Sequence, residues 1–259
     1  MRRFLIYIVA VLCLPFCAMA DEALDNYSKG VKLYWDGNGA EALPYLEKSL
    51  GLGCTDAAYI IGELYTWGIG IPKNYAKAEN YYKMAANSKV EDSQNRTEAR
   101  FSIWILHQMD VSTLTEKEAA QYLCEAANDG LPDALYELGL YYKRHAKFGN
   151  ARKAMNEAVE KGSVHALSHM GLAWYEGNRI WTLEGIDYEK AFQYLSEAAE
   201  DIEQAPITNE VKCAVYLTLS KCYRFGRGVK GDLKKANDCN DMAAKYGDPT
   251  AIDVKKILN

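Results

Sequence analysis

The chain has 259 residues, long enough for one or two compact domains or for a single extended array of repeats. Its formal charge is -5, with 30 Lys and Arg against 35 Asp and Glu, and it falls to -7 once Arg2 and Arg3 leave with the N-terminal leader. A mildly acidic surface argues against nucleic-acid phosphate as the ligand, because such binding needs a basic stripe.

Residues 1–20, MRRFLIYIVAVLCLPFCAMA, combine two arginines, an apolar stretch Phe4–Leu14, a break at Pro15 and Ala18-Met19-Ala20 before the acidic Asp21. This is the pattern of a secretory signal peptide, and its apolar run is too short for a stable transmembrane helix. Lipidation on Cys17 is the lesser alternative, since the bulky Phe16 and Pro15 precede it where small residues are usual. No later segment is apolar enough to span a membrane. The mature chain is therefore expected to be soluble, in the periplasm or secreted, in an oxidising space. Sequons at Asn26 and Asn95 would permit N-glycosylation only in a eukaryotic host; a bacterial exported protein is the preferred reading.

A first unit is expected over 22–53. Gly30 marks its helix A, Asp36–Gly39 its turn, and Ala42, Leu43, Leu46 and Leu50 the stripe of helix B. The second unit, 54–89, is the clearest copy. Ala58, Ile61, Gly62, Tyr65 and Trp67 fall near the spacing of one apolar helix face; Gly68, Gly70 and Pro72 stop that helix; and Tyr75, Ala78, Tyr82, Ala85 and Ala86 make a second stripe. A glycine in mid-helix costs about 1 kcal/mol against Ala, so Gly62 is expected to mark a close approach of the partner helix. Neither stripe can be covered within its own hairpin, so successive hairpins must stack.

The string AxxxIGELYxWGIGIPKNYxKAxxYYxxAA over 57–86 resembles the Sel-1-like repeat, a helix-turn-helix relative of the tetratricopeptide repeat, and the resemblance covers nearly everything after residue 22. It implies an all-α, right-handed superhelical solenoid of about six repeats that binds a protein or peptide partner without catalysis. One branch of that family is cysteine-rich and penicillin-binding, with a bridge from the start of helix A to the end of helix B. Cys54 occupies the first of those places, but no cysteine stands near 85–89 to receive it, and Cys124 and Cys213 are no better matched. The competing function, a cell-wall or β-lactam-related hydrolase, is therefore not carried over.

The third unit, 98–130, follows a polar join at 88–97. It keeps Ala99, Ile103 and Leu106 as its stripe, with Trp104 replacing the mid-helix glycine and loosening that contact. The fourth unit, 131–162, contains ALYELGLYY, and Ala154 and Ala158 carry its helix B. The fifth, 163–201, has a loop inserted at 179–185, whose Ile180 and Trp181 are expected to tuck back against the solenoid rather than to form a partner-binding tip. The sixth, 206–247, has Ser220 in the glycine place, and a capping helix is expected over 249–258.

No constellation for catalysis, metal or cofactor emerges. Gly226–Gly231 matches GxGxxG, but it follows a helix and coincides with the repeat turn, whereas a dinucleotide site needs a preceding strand. His165 and His169 share a helix face, yet no third and fourth ligand accompanies them and no Glu lies between them as in HExxH; they are read as structural. There is no GxSxG, Ser-x-x-Lys or phosphate loop. Five cysteines follow the leader, so at least one is unpaired within a monomer; Cys222 and Cys239, brought level by the turn near Val229, are the pair best placed to bridge.

In related helix-pair solenoids helix A lines the concave face. Counting three before, one after and four after the mid-helix glycine place selects Tyr59, Glu63 and Thr66; Tyr136, Leu140 and Lys143; Ser168, Leu172 and Tyr175; and Leu217, Lys221 and Arg224. Tyr59, Tyr136 and Tyr175 are the expected anchors, because aromatic side chains give large contact area with few rotors to freeze. The alternative is that these tyrosines only complete the packing between adjacent A helices.

Overall fold

The computed structural model describes residues 20–89 and 93–247. All regular structure among them is helical: α1 (20–35), α2 (Gly39–Gly51), α3 (Asp56–Trp67), α4 (Tyr75–Ala86), α5 (Gln94–Gln108), α6 (Glu116–Asn128), α7 (Pro132–Arg144), α8 (Phe148–Glu160), α9 (Val164–Glu176), α10 (Tyr188–Asp201), α11 (Asn209–Phe225) and α12 (Leu233–Lys245). They pair into six hairpins, odd helices serving as A and even helices as B. The leader, save its last residue, and the expected capping helix over 249–258 lie outside the described residues. The hairpins group into two compact units that divide between Leu131 and Pro132, three in each.

The helix ends follow from the sequence. Side chains of Asn74, Ser93, Thr115, Ser163, Asp187, Thr208 and Asp232 each accept from a backbone N–H in the first turn of the helix they open, which satisfies donors the helix itself leaves unpaired. Ser93 starts α5 at Gln94, inside the stretch expected as a polar join. Helices α3, α9 and α11 end on the left-handed Gly68, Gly177 and Gly226. In the third and fourth hairpins the left-handed place falls instead to Asp110 (φ 58°) and Ala146 (φ 56°), where a Cβ makes the turn costlier.

In the unit α1–α6 the core runs from Ala42 and Leu46 through the buried faces of α3 and α4 to Ala99, Ile103 and Leu106. The mid-helix glycine has the packing role expected of it. A Cβ on Gly62 would lie 2.5 Å from Tyr82 Cε1, and one on Gly30 would lie 2.6 Å from the Leu46 side chain. Trp104, expected to loosen this contact, is fully buried and fills its place. Trp67 departs from the expected stripe: it is 54% exposed.

Side-chain ties join successive hairpins. Ser93 Oγ, besides capping α5, donates to Asp56 Oδ1 at 2.7 Å on α3. Glu79 of α4 is 3% exposed, and its carboxylate is met by Lys83 Nζ, Ser112 Oγ, and the N–H and Oγ1 of Thr113 in the α5–α6 turn. Burial works against that charge, but these bonds outweigh it and pull Glu79 down to about 2.

The unit α7–α12 repeats the arrangement. Gly171 abuts Leu195, Gly139 abuts Met155, and Leu195, Ile202, Val215, Tyr216, Leu219 and Ala243 form the closing core cluster. Ser163, the cap of α9, donates to Asp133 Oδ1 of α7 at 2.8 Å, matching the Asp56–Ser93 tie at equivalent places.

Candidate protein-interaction face

The exposed side of the A helices in α1–α6 is built around Glu63. Its Oε1 accepts from Tyr82 Oη at 2.5 Å and its Oε2 from Trp67 Nε1 at 2.8 Å, so helix B of the same hairpin and the last turn of helix A fix the carboxylate. Tyr59 lies half-buried, its ring 5.9 Å from that of Tyr82. Burial first, then the charges of Glu63 and Glu98, push the Tyr59 phenol up, opposed by a hydrogen bond with Ser102 of α5. Burial and the Glu63 charge likewise push up Tyr34 of α1. Tyr34, Tyr59, Glu63 and Glu98 thus form one patch across three A helices. Thr66, selected with them from the sequence, is buried beneath it, bonded to the Gly62 carbonyl.

A second feature escaped the sequence rule. Five residues after Gly30, Gly62 and Trp104 stand Trp35, Trp67 and Met109, each at the end of its A helix and 76%, 54% and 41% exposed. The Tyr34 and Trp35 rings meet edge-on at 5.1 Å, which carries this stripe into the Tyr34–Glu63 patch. The signal was present in the sequence as a fixed offset from the glycine, but Trp67 read there as part of the packed stripe. At the same offset in α7–α12 stand Arg144, Glu176 and Phe225.

In α7–α12 the selected residues divide. The Tyr136 ring stacks on His165 at 5.5 Å and meets His169 edge-on at 6.0 Å, between helices α7 and α9, and burial followed by the charges of Glu137 and Asp133 raises it to about 12. Tyr175 accepts from Arg227 at 2.5 Å and lies 5.2 Å from Tyr188, with the Arg227 guanidinium over both rings. Ser168 is buried, and Lys221 and Arg224 are exposed. Lys143 sits over Trp181, which is 3% exposed and packs on His169; Ile180 and Leu183 stay exposed, so the inserted loop tucks in only one of its three large apolar residues.

The two histidines take structural places. His165 Nδ1 is 3.2 Å from Asp133 Oδ1. Burial opposes its charge, but Asp133 and the Pro206 carbonyl raise it overall; His169 is lowered to about 4 by burial and then by Lys143. Asp133, Ser163 and His165 border a cavity of about 330 Å³ with Asp201, Gln204 and Pro206. The Ser163 hydroxyl donates to Asp133 and accepts from the Ala166 N–H, so it serves as the N-cap of α9 and ties that helix to α7. Among the described residues no group of His, Cys, Asp and Glu is placed to hold a metal ion. Gly228 of the GxGxxG string is spent on packing: a side chain there would collide with the Tyr188 carbonyl. Cys222 and Cys239 are both thiols, raised to about 11. Burial dominates at each; Arg227 opposes and Cys239 adds at the first, and Asp238 adds at the second.

A stack of helical hairpins, with a small residue or a tryptophan at the helix crossing of each, defines a helical-repeat protein. Four stretches, 55–89, 132–156, 165–201 and 217–248, match the Sel1 repeat. The chain belongs to the Sel1-like repeat family. Its structure is similar to that of a Sel1 repeat protein from Oxalobacter formigenes (TM-score 0.69, 24% identity, covering 87% of this chain and 86% of that one). It is also similar to c5321, a protective antigen present in uropathogenic Escherichia coli strains (0.68, 21%, covering 88% and 47%), and to the immunity protein PA5088 from Pseudomonas aeruginosa (0.53, 20%, covering 87% and 81%). The Sel1 repeat fold is generally a protein–protein interaction scaffold. Among the described residues no helix is long and apolar enough to cross a membrane.

Proposed function

We propose that this is an exported, non-catalytic adaptor that holds a protein or peptide partner on the A-helix side of the unit α1–α6. The observation that supports this reading is the stripe Trp35, Trp67 and Met109, three large apolar side chains left exposed at one repeat position. Exposed apolar surface of that size carries a hydration cost that a partner would remove. The half-buried Tyr34 and Tyr59 and the fixed carboxylate of Glu63 extend the surface with rigid aromatic area and an oriented acceptor. The leader at residues 1–20 supports export.

Fractionation and N-terminal sequencing test the address: the mature chain should leave the cytoplasm and begin near Asp21, and an uncleaved cytoplasmic product would contradict export. Affinity capture from the exported fraction tests the role. A partner should be recovered with the wild type and lost with the pair Trp35→Ala and Trp67→Ala; retention by that variant would contradict the placement.

A further inference from the structure

Resting on the reading of this face as the interaction surface, we propose that its occupant is a cationic peptide segment, in which Arg or Lys side chains enter the patch of Glu63, Tyr34 and Tyr59 while neighbouring apolar residues cover Trp35 and Trp67. Two observations carry the charge class of the partner. First, Glu63 is a partly buried carboxylate held by Tyr82 Oη and Trp67 Nε1, with lone pairs to spare after those two bonds, and the Tyr59 ring packs beside the Tyr82 ring that holds it. A carboxylate with aromatic side chains close by is an environment that a guanidinium or ammonium group can satisfy twice, by ion pairing with the carboxylate and by cation–π attraction to a neighbouring ring. The molecule already uses the second half of this chemistry on itself, where Arg227 lies over the rings of Tyr175, Tyr188 and Phe225.

Second, the charge of the mature chain is divided unequally. Residues 21–131 hold 17 Asp and Glu against 10 Lys and Arg, a net -7, whereas 132–259 hold 18 of each. The whole acidic excess of the mature chain therefore lies in the unit that also exposes the apolar stripe. An acidic partner would meet repulsion across that unit, and a neutral one would cover the Glu63 carboxylate without supplying an opposite charge to its remaining lone pairs.

The test uses the mature chain and three labelled, tryptophan-free peptides of equal length in which Leu alternates with Arg, with Gln or with Glu, followed by fluorescence anisotropy. The Arg peptide should bind at least about tenfold more tightly than the other two. Glu63→Gln can accept from Trp67 through its one amide oxygen and donate its amide N–H to Tyr82 Oη, whose own proton can turn to Thr66 Oγ1; it should weaken the Arg peptide about fivefold, whereas Glu41→Gln on α2, which removes the same charge elsewhere, should leave it nearly unchanged. Equal loss from both substitutions, or Gln or Glu peptides binding as well as Arg, would overturn the cationic class. If the tighter peptide is a neutral or acidic one and Trp67→Ala still weakens it, the face survives and only its charge preference is wrong. If Trp67→Ala changes no peptide, the face itself is wrong.

Discussion

Gly62 of α3 and Tyr82 of α4 meet with no room for a side chain between them, since a Cβ on Gly62 would stand 2.5 Å from Tyr82 Cε1. Tyr82 is fully buried and holds Glu63 through its hydroxyl, so the contact that closes the hairpin also aims the carboxylate on the proposed interaction face. Gly62→Leu should cost on the order of 1–3 kcal/mol through overpacking, read as a lower melting temperature. Gly51→Ala, in α2 with open space around it, should be neutral or stabilising by up to about 1 kcal/mol, as expected for a helical glycine. Equal effects from the two would refute the packing role of Gly62.

Glu79 makes the unit α1–α6 sensitive to acid. Its carboxyl sits at about 2 in the folded chain against 4.5 in the unfolded one. The stabilisation it supplies is complete above the unfolded value and is lost as pH falls from about 5 towards 2; for a group so little exposed it amounts to roughly 2–3 kcal/mol. Denaturant titrations of wild type and Glu79→Gln should differ most at neutral pH and converge near pH 2. A difference that does not change with pH would contradict the assignment.

His165 and His169, one turn apart, respond to pH in opposite directions. His165 is raised, so its contribution is complete below about 6.5 and fades as pH rises through its folded value; His169 is lowered to about 4, so its contribution is complete above about 6.5 and fades as pH falls towards 4. NMR titration should show His169 protonating near pH 4 and His165 above its ordinary value. Asp133→Asn should bring His165 down while leaving His169 in place, and coincident titrations of the two rings would refute the environments described.

Cys222 on α11 and Cys239 on α12 are free thiols on the two helices of the last hairpin. Their high thiol values slow exchange near neutral pH, so an oxidant or a disulfide catalyst should be needed to join them. Closure would stabilise the last hairpin by about 3 kcal/mol, given the short loop between the two residues. Mass analysis after oxidation should find them linked; both recovered alkylated from oxidised, non-reduced protein would rule the bridge out.

The hairpin pattern was legible in the sequence because the repeat writes its packing in residue size: Gly at the crossing, Ala and Leu on the stripes, Gly at the turns. What stayed hidden were the ties between side chains distant along the chain. Nothing at Glu79 distinguishes it from a solvated helix carboxylate until Ser112 and Thr113 fold onto it, and nothing in the spacing of Asp56 and Ser93 announces a bond across two hairpins. The helix-face rule chose Tyr59 and Glu63, which are partly exposed, and also Thr66 and Ser168, which are buried, because a helix face fixed by period alone takes no account of neighbouring hairpins. Trp67 was misread in the other direction: helical spacing placed it with Tyr65 on the core, but at the last position of α3 it is 54% exposed and turns its Nε1 back to Glu63.

The claim that the A-helix side of α1–α6 receives the partner is tested most directly by photo-crosslinking in the living host. A photoreactive amino acid replaces Trp67 in one variant and Phe148, an exposed apolar residue at the start of helix B in the other unit, in a second. Light should join the variant at position 67 to a discrete protein partner and leave the variant at 148 uncoupled. A partner captured from 148 but not from 67 would contradict the account.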